Sequence, residues 1–93
     1  MTSYNVLISK RGVKQFKLLD KEIHKKIKKS FKCLSINPFE KRSGCDIKKL
    51  NSSTKHDFYR LKFGDYRIIY TVVEKKVKIT EILHRSRAYK FLI

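Results

Sequence analysis

The stretch that decides the fold spans residues 58–73 and reads FYRLKFGDYRIIYTVV. Apolar and polar side chains largely alternate on both sides of Gly64-Asp65, with the period of a half-buried β-strand. A two-residue loop with glycine first, flanked by such alternation, is typical of a β-hairpin. The sequence therefore predicts two antiparallel strands, Phe58–Phe63 and Tyr66–Val73, joined by Gly64-Asp65.

The register of this hairpin separates an apolar face from a basic one. A two-residue loop pairs Phe63 with Tyr66 and Lys62 with Arg67, and directly opposite residues point to the same face. We expect helices to cover the apolar face, which comprises Tyr59, Leu61, Phe63, Tyr66, Ile68, Tyr70 and Val72. The other face comprises Arg60, Lys62, Arg67, Ile69 and Thr71.

A third strand is predicted over Val77–His84, after a turn within Glu74–Lys76. A two-residue turn there places Val77, Ile79 and Leu83 on the apolar face. The same alternation leaves Glu81 among apolar positions without an explanation. It assigns Lys78, Thr80, Ile82 and His84 to the basic face, with Arg85 and Arg87 at its rim. Arginine forks at such a face match phosphate oxygens bidentately, so the pattern favours a phosphate-binding surface.

The N-terminal half predicts one strand and two helices. Alternation over Tyr4–Ile8 indicates a strand, and helical spacing begins at about Arg11. Asp20 is a suitable N-cap for a second helix, which has an apolar stripe and ends at Asn37-Pro38. The segment Ile47–Leu50 is compatible with a short strand or with a turn.

The predicted element order is β-α-α-β-β-β. Such an order is typical of an α+β domain in which two helices pack on one face of a mostly antiparallel sheet. A chain of 93 residues has room for one domain, so residues 1–93 are assigned to a single domain.

The charge balance points to a polyanionic partner. Lysine and arginine number 24 against 8 aspartates and glutamates, a formal net charge of +16. Such a field favours nucleic acid, an acidic protein or an anionic membrane surface, although simple solubility is the alternative for the lysines.

No apolar stretch approaches the ~20 residues that span a bilayer, and the first residues do not resemble a signal peptide. We therefore expect a cytoplasmic protein, in which Cys33 and Cys45 are free thiols.

Two segments resemble the RelE/ParE toxin superfamily of toxin–antitoxin systems. Tyr59–Tyr70 is similar to the superfamily's YRIRVGDYRIIY, and His84–Tyr89, HRSRAY, is similar to its terminal HRRxxxY. Weaker similarity at Lys17–Ile23, Asn37-Pro38 and Lys49-Leu50 extends the resemblance over nearly the whole chain in the expected order. The GDYR hairpin is typical of the superfamily as a whole, and by itself it does not separate mRNA-cleaving members from gyrase poisons.

The resemblance to the RelE branch implies an mRNA interferase, an endoribonuclease that cleaves mRNA in the ribosomal A site. It implies no metal, no small-molecule cofactor and no membrane, and its expected partners are the ribosome, mRNA and an acidic RelB-like antitoxin. Matched to the family's motifs, the implied catalytic residues are Arg60, Lys62, Arg67, Arg85 and Tyr89. The further residues expected to bind RNA are Lys78, His84 and Arg87.

These residue types suit RNA self-cleavage, which needs the 2′-OH deprotonated, the phosphorane stabilised and the 5′-oxygen protonated. Arg60 and Arg67 suit the phosphorane charge, and Lys62 is a candidate base. Arg85 and Arg87 compete for the leaving group, and Tyr89 could stack on a base or orient the 2′-OH. The alternatives are a ParE-like DNA gyrase poison without its own chemistry and a non-catalytic RNA-binding relic.

Overall fold

The computed structural model describes residues 3–50 and 57–86, which form two helices and one five-stranded sheet. The sheet order is β1-β5-β4-β3-β2, with β1 parallel to β5 and every other pair antiparallel. This confirms the α+β class and shows that residues 47–49 of the segment Ile47–Leu50 belong to an edge strand. The elements are β1 (Asn5–Ile8), α1 (Lys10–Lys17), α2 (Lys21–Ile36), β2 (Asp46–Lys49), β3 (Phe58–Phe63), β4 (Tyr66–Val73) and β5 (Lys76–His84).

The core lies between the helices and the predicted apolar face of the sheet. Ile27 and Leu34 of α2 are fully buried there, as the helical stripe requires. The sheet contributes Leu61, Ile68, Tyr70, Val77, Ile79 and Ile82. The hydroxyl of Tyr70 donates to the carbonyl oxygen of Pro38 at 2.6 Å, so its polar atom is satisfied inside the core. Burial raises the pKa of Tyr70 above its ordinary value, which keeps the hydroxyl protonated as a donor.

A β-bulge in β5 overturns the predicted faces of the strand's second half. Tyr70 pairs with Ile79 but Ile69 pairs with Glu81, so Thr80 is an extra residue. An extra residue inverts the alternation that follows it. The predictions for Ile82, Leu83 and His84 are therefore wrong. Ile82 lies in the core opposite Ile68, Leu83 lies opposite Arg67, and His84 lies opposite Tyr66.

Side chains of α1 and of its N-cap, Ser9, bond to the edge of β5 beyond the point where β1 ends. The Ser9 hydroxyl donates to the Thr80 carbonyl at 2.9 Å and accepts the Gly12 amide at 3.0 Å, so it joins the helix cap to the bulge. The Ile82 amide donates to Gln15 Oε1 at 2.7 Å. Glu81, which the sequence left unexplained, forms an ion pair with Arg11 at 2.8 Å.

Cys33 and Cys45 form a disulfide, with their Cα atoms 5.8 Å apart, so the prediction of two free thiols is wrong. The chain reverses after α2, and this brings Cys45 back against the last turn of the helix. Arg42 also stabilises the loop between α2 and Cys45, because its guanidinium donates to the carbonyls of Cys33 and Asn37 at 2.9 and 3.0 Å. A spacing of 12 residues along the chain does not reveal such proximity.

Within residues 3–50 and 57–86, none of the helices combines the length and the apolar character needed to cross a bilayer.

Leu61→Ala tests the face assignment of the hairpin. Leu61 is 1% exposed, so truncation should lower the free energy of unfolding by about 2–5 kcal/mol through lost burial and a cavity. Urea denaturation measures this. Leu18→Ala is the matched control, since Leu18 is 86% exposed and should change stability by about 0.5 kcal/mol or less. Equal stability of the two variants would contradict the register.

Removal of the disulfide should destabilise the protein without unfolding it. A closed loop of this length contributes about 3 kcal/mol in the chain-entropy model, and Arg42 independently holds the same segment. We expect Cys33→Ser/Cys45→Ser to lose about that free energy of unfolding in denaturant titrations. Dithiothreitol should lower the stability of the wild type to the level of the variant and leave the variant unchanged. A wild type that is indifferent to reduction would show that the bond contributes nothing.

Candidate functional site

The sheet surface opposite the helices brings together four basic side chains. The register places Lys62 opposite Arg67 and Lys48 opposite Arg60. In the structure, the basic face is the surface formed by Lys48, Arg60, Lys62 and Arg67. It contains three of the predicted site residues, and Lys48 is an addition that only the pairing of β2 with β3 reveals.

Lys62 and Arg67 are the accessible part of the basic face. Lys62 is exposed, and Arg67 is half-buried beside the hairpin turn. The Arg67 guanidinium donates to the carbonyls of Gly64 and Tyr66, each at 3.0 Å. Neither Lys62 nor Arg67 forms an ion pair with any residue in the described ranges. Their charges are therefore available to an anion, which arginine can bind with two parallel hydrogen bonds.

Arg60 differs from its neighbours because its side chain is only 15% exposed. It lies opposite Ile69, which is fully buried in a small second cluster with Leu83. Leu50 and Phe58 pack against that cluster. The basic face thus has an apolar half that the hairpin pattern did not predict, because Leu83 reaches it only through the bulge.

The Arg60 guanidinium has one carboxylate partner in the described part of the chain. Its NH2 group lies 3.4 Å from Asp46 Oδ1, and its buried Nε meets no hydrogen-bond acceptor there. Asp46 is a residue that sequence reasoning missed. The only signal was its position directly before the segment Ile47–Leu50, which fitted either a strand or a turn, and the register of β2 is not a local property.

Arg85 lies at the hairpin end of the basic face. Its amide donates to the carbonyl of Asp65 at 2.6 Å, and its guanidinium is 3.8 Å from the Asp65 carboxylate. Arg67 and Arg85 therefore both contact the Gly64–Tyr66 turn. The structure brings these two predicted site residues together at one end of the sheet.

His84 and Lys78 lie away from this cluster. His84 is on the same side of the sheet as Tyr66, whose ring it meets edge-on at 5.5 Å, so its predicted place on the basic face is wrong. Lys78 lies opposite Thr71, four residues along β4 from Arg67, which is roughly 13 Å at ~3.3 Å per residue. Arg87 and Tyr89 lie outside the described residues.

Comparison with protein families gives a model that matches most of the chain. It is described as the ParE toxin of type II toxin–antitoxin system, parDE, and it matches residues 6–89. This range includes every element of the sheet from the second residue of β1 onward, together with both helices.

Comparison with individual proteins gives matches over nearly the full length of each protein compared. The chain is 36% identical over 89 residues to "Putative toxin RelE1" of Methanocaldococcus jannaschii, covering 94% of this chain and 96% of that protein. The archaeal RelE–RelB complex from Pyrococcus horikoshii OT3 matches with a TM-score of 0.76 and 35% identity. The RelB–RelE antitoxin–toxin complex from Methanococcus jannaschii matches with a TM-score of 0.69 and 26% identity. Each structural match covers 94% of this chain and 99% of the other.

Proposed function

This chain belongs to the RelE/ParE superfamily of toxins from type II toxin–antitoxin systems, and on that basis we propose that it is a ribosome-dependent endoribonuclease. In this proposal it cleaves mRNA in the A site with neither metal nor cofactor. The observation that supports it is the juxtaposition of Lys62, Arg67 and Arg85 at the hairpin end of the sheet, with Arg60 beside them.

The reaction is attack of a 2′-oxygen on the adjacent phosphorus, which forms a 2′-O–P bond and breaks the bond to the 5′-oxygen. Lys62 is the proposed base for the 2′-OH proton, and the arginines of the basic face stabilise the phosphorane. A guanidinium keeps its protons, so Arg85 stabilises the negative charge on the 5′-oxygen, which takes its proton from water. By resemblance, Tyr89 stacks on a base or orients the 2′-OH, and Arg87 contacts the RNA backbone.

The ribosome has a physical role in this proposal. His84 faces away from Arg67, so the described basic face does not pair a histidine with Lys62 for acid–base work. Positioning of the reacting groups can lower a barrier by about 7–11 kcal/mol, which compensates for weak proton transfer. A substrate held by the ribosome in an in-line geometry would therefore react where free RNA reacts slowly.

The partner that we propose is an acidic antitoxin. The structural neighbours from Pyrococcus and Methanococcus are complexes with RelB. A net charge of +16 favours association with an acidic chain through long-range attraction. Such a partner would also suppress indiscriminate binding of nucleic acid by the free toxin.

A second candidate function is poisoning of DNA gyrase, which the ParE description of the matching family model favours. Against it stand the identities of 36% and 35% to proteins named RelE, each over nearly the full chain. A gyrase poison also has no need of a phosphate-binding cluster. A non-catalytic RNA-binding relic remains the third alternative.

Toeprinting of mRNA on stalled ribosomes separates these functions. With purified protein we expect new mRNA ends within the A-site codon and little cleavage of the same RNA without ribosomes. Trapped gyrase–DNA complexes without mRNA cleavage would replace the proposal with the second candidate. RNA binding with neither activity would identify the relic.

Arg67→Ala should abolish cleavage and leave the fold intact. Loss of one charge-stabilising donor is expected to slow cleavage about 10²-fold or more. The thermal midpoint should change little, because within residues 3–50 and 57–86 the guanidinium bonds only the backbone of its own turn. Lys29→Ala, which removes an equal charge from an exposed position on α2, is the control and should cleave normally. An unstable but active Arg67→Ala would show that Arg67 is a structural residue.

A further inference from the structure

Asp46 stands out as an acid inside a basic surface. In the ladder between β2 and β3 it lies directly opposite Lys62, and Lys62 lies opposite Arg67. Its Oδ1 atom is 3.4 Å from the Arg60 guanidinium and 3.7 Å from Lys41 Nζ. Among the described residues, Asp46 is the only carboxylate within 4 Å of a basic-face side chain. It therefore offsets part of the repulsion among these charges.

The contact between Asp46 and Arg60 is easily displaced. A distance of 3.4 Å is longer than the 2.7–3.2 Å of ordinary N–H···O bonds, and it joins one nitrogen to one oxygen. Asp46 is 39% exposed, so solvent and ligands reach its carboxylate. An ion pair of this kind contributes little to stability.

Arg60, in contrast, has N–H groups that no residue of the described ranges accepts from. A guanidinium has five N–H groups, and in the described part of the chain Arg60 directs one nitrogen to Asp46 while its buried Nε has no acceptor. Packing beside Ile69 holds the side chain in a surrounding from which water is largely excluded. A guanidinium whose terminal nitrogens have further N–H groups can bind an oxyanion through two parallel hydrogen bonds, which is the pattern that a phosphate accepts.

We propose that Asp46 is the internal counter-ion of the basic face, which offsets the charge of Arg60 in the free protein and gives way to an RNA phosphate. The carboxylate and the phosphate have the same sign, so they compete for Arg60. The inference rests on the proposed function in one respect, since it takes RNA phosphate as the ligand of the basic face.

The test measures binding of a labelled single-stranded RNA oligonucleotide by fluorescence anisotropy over a range of salt concentrations. Asp46→Asn should bind about three- to tenfold more tightly, because one like charge beside the bound phosphate is removed. The slope of log K against log salt should steepen by about 0.7, as for one additional phosphate contact on a single strand. Asp20→Asn is the matched control. It makes the same charge change at an exposed position next to α2, on the helix layer, and should match the wild type.

A double-mutant cycle assigns the gain to Arg60. In an Arg60→Gln background, Asp46→Asn should no longer tighten binding, because the donor that it releases is gone. Thermal melts establish that each variant is folded. Asp46→Ser also removes the carboxylate, so a folded protein from either Asp46 substitution decides the question.

Two results overturn the inference alone. One is equal affinity of Asp46→Asn and Asp20→Asn while Lys62→Ala/Arg67→Ala binds RNA more weakly than the wild type. The other is unchanged affinity of Asp46→Asn with loss of A-site cleavage, which would mean that the carboxylate takes part in the reaction itself. If Lys62→Ala/Arg67→Ala binds RNA as well as the wild type, the basic face is not the RNA site, and the proposed function fails with the inference.

Discussion

The pairing of β3 with β4 across the Gly64-Asp65 turn is the constraint on which the rest of the structure depends. Side chains alternate along a strand, so a slip of one residue would exchange the two faces. The observed register directs Leu61 inward and Lys62 outward. Gly64 permits the tight turn that fixes this register, because its φ of +56° is a conformation that glycine adopts without a steric clash at Cβ.

A second constraint is the bulge at Thr80, which changes the side chains of β5 that lie on each face of the sheet. Without it, Ile82 would point to the basic face and the core would receive a carboxylate from Glu81. With it, Ile82 closes the core and Glu81 reaches Arg11. The Ser9 hydroxyl joins the cap of α1 to the bulge, and Gln15 accepts the Ile82 amide, so the helix cannot shift along β5 without breaking two hydrogen bonds. The extra residue is therefore a fixed part of the fold.

The hairpin, both helices and the order of the elements were predictable because local patterns determine them. Tyr66–Val73 alternates as a strand, and Gly64-Asp65 fits a tight turn. The position of Leu83 and the partner of Cys33 were not predictable, since each depends on a contact that the local pattern does not record. The bulge depends on the hydrogen bond from the Ser9 hydroxyl to the Thr80 carbonyl. The disulfide depends on the loop after α2 turning back toward that helix. Asp46 belongs to the same class, because only the register of an edge strand places it opposite Lys62.

The basic face has a solvent-accessible half and an apolar half, and Arg60 lies at the boundary between them. Lys62 is exposed and Arg67 half-buried, whereas Ile69 and Leu83 exclude water from the other end. Charges interact more strongly where water is excluded, so an equal change in charge has a larger effect beside Arg60 than at an exposed site. Lys41 illustrates the difference. It contacts the same carboxylate oxygen as Arg60, but its side chain is 73% exposed against 15%, so solvent screens its charge. The partial burial of one arginine thus makes a single carboxylate on the neighbouring strand decisive for the electrostatics of the whole face.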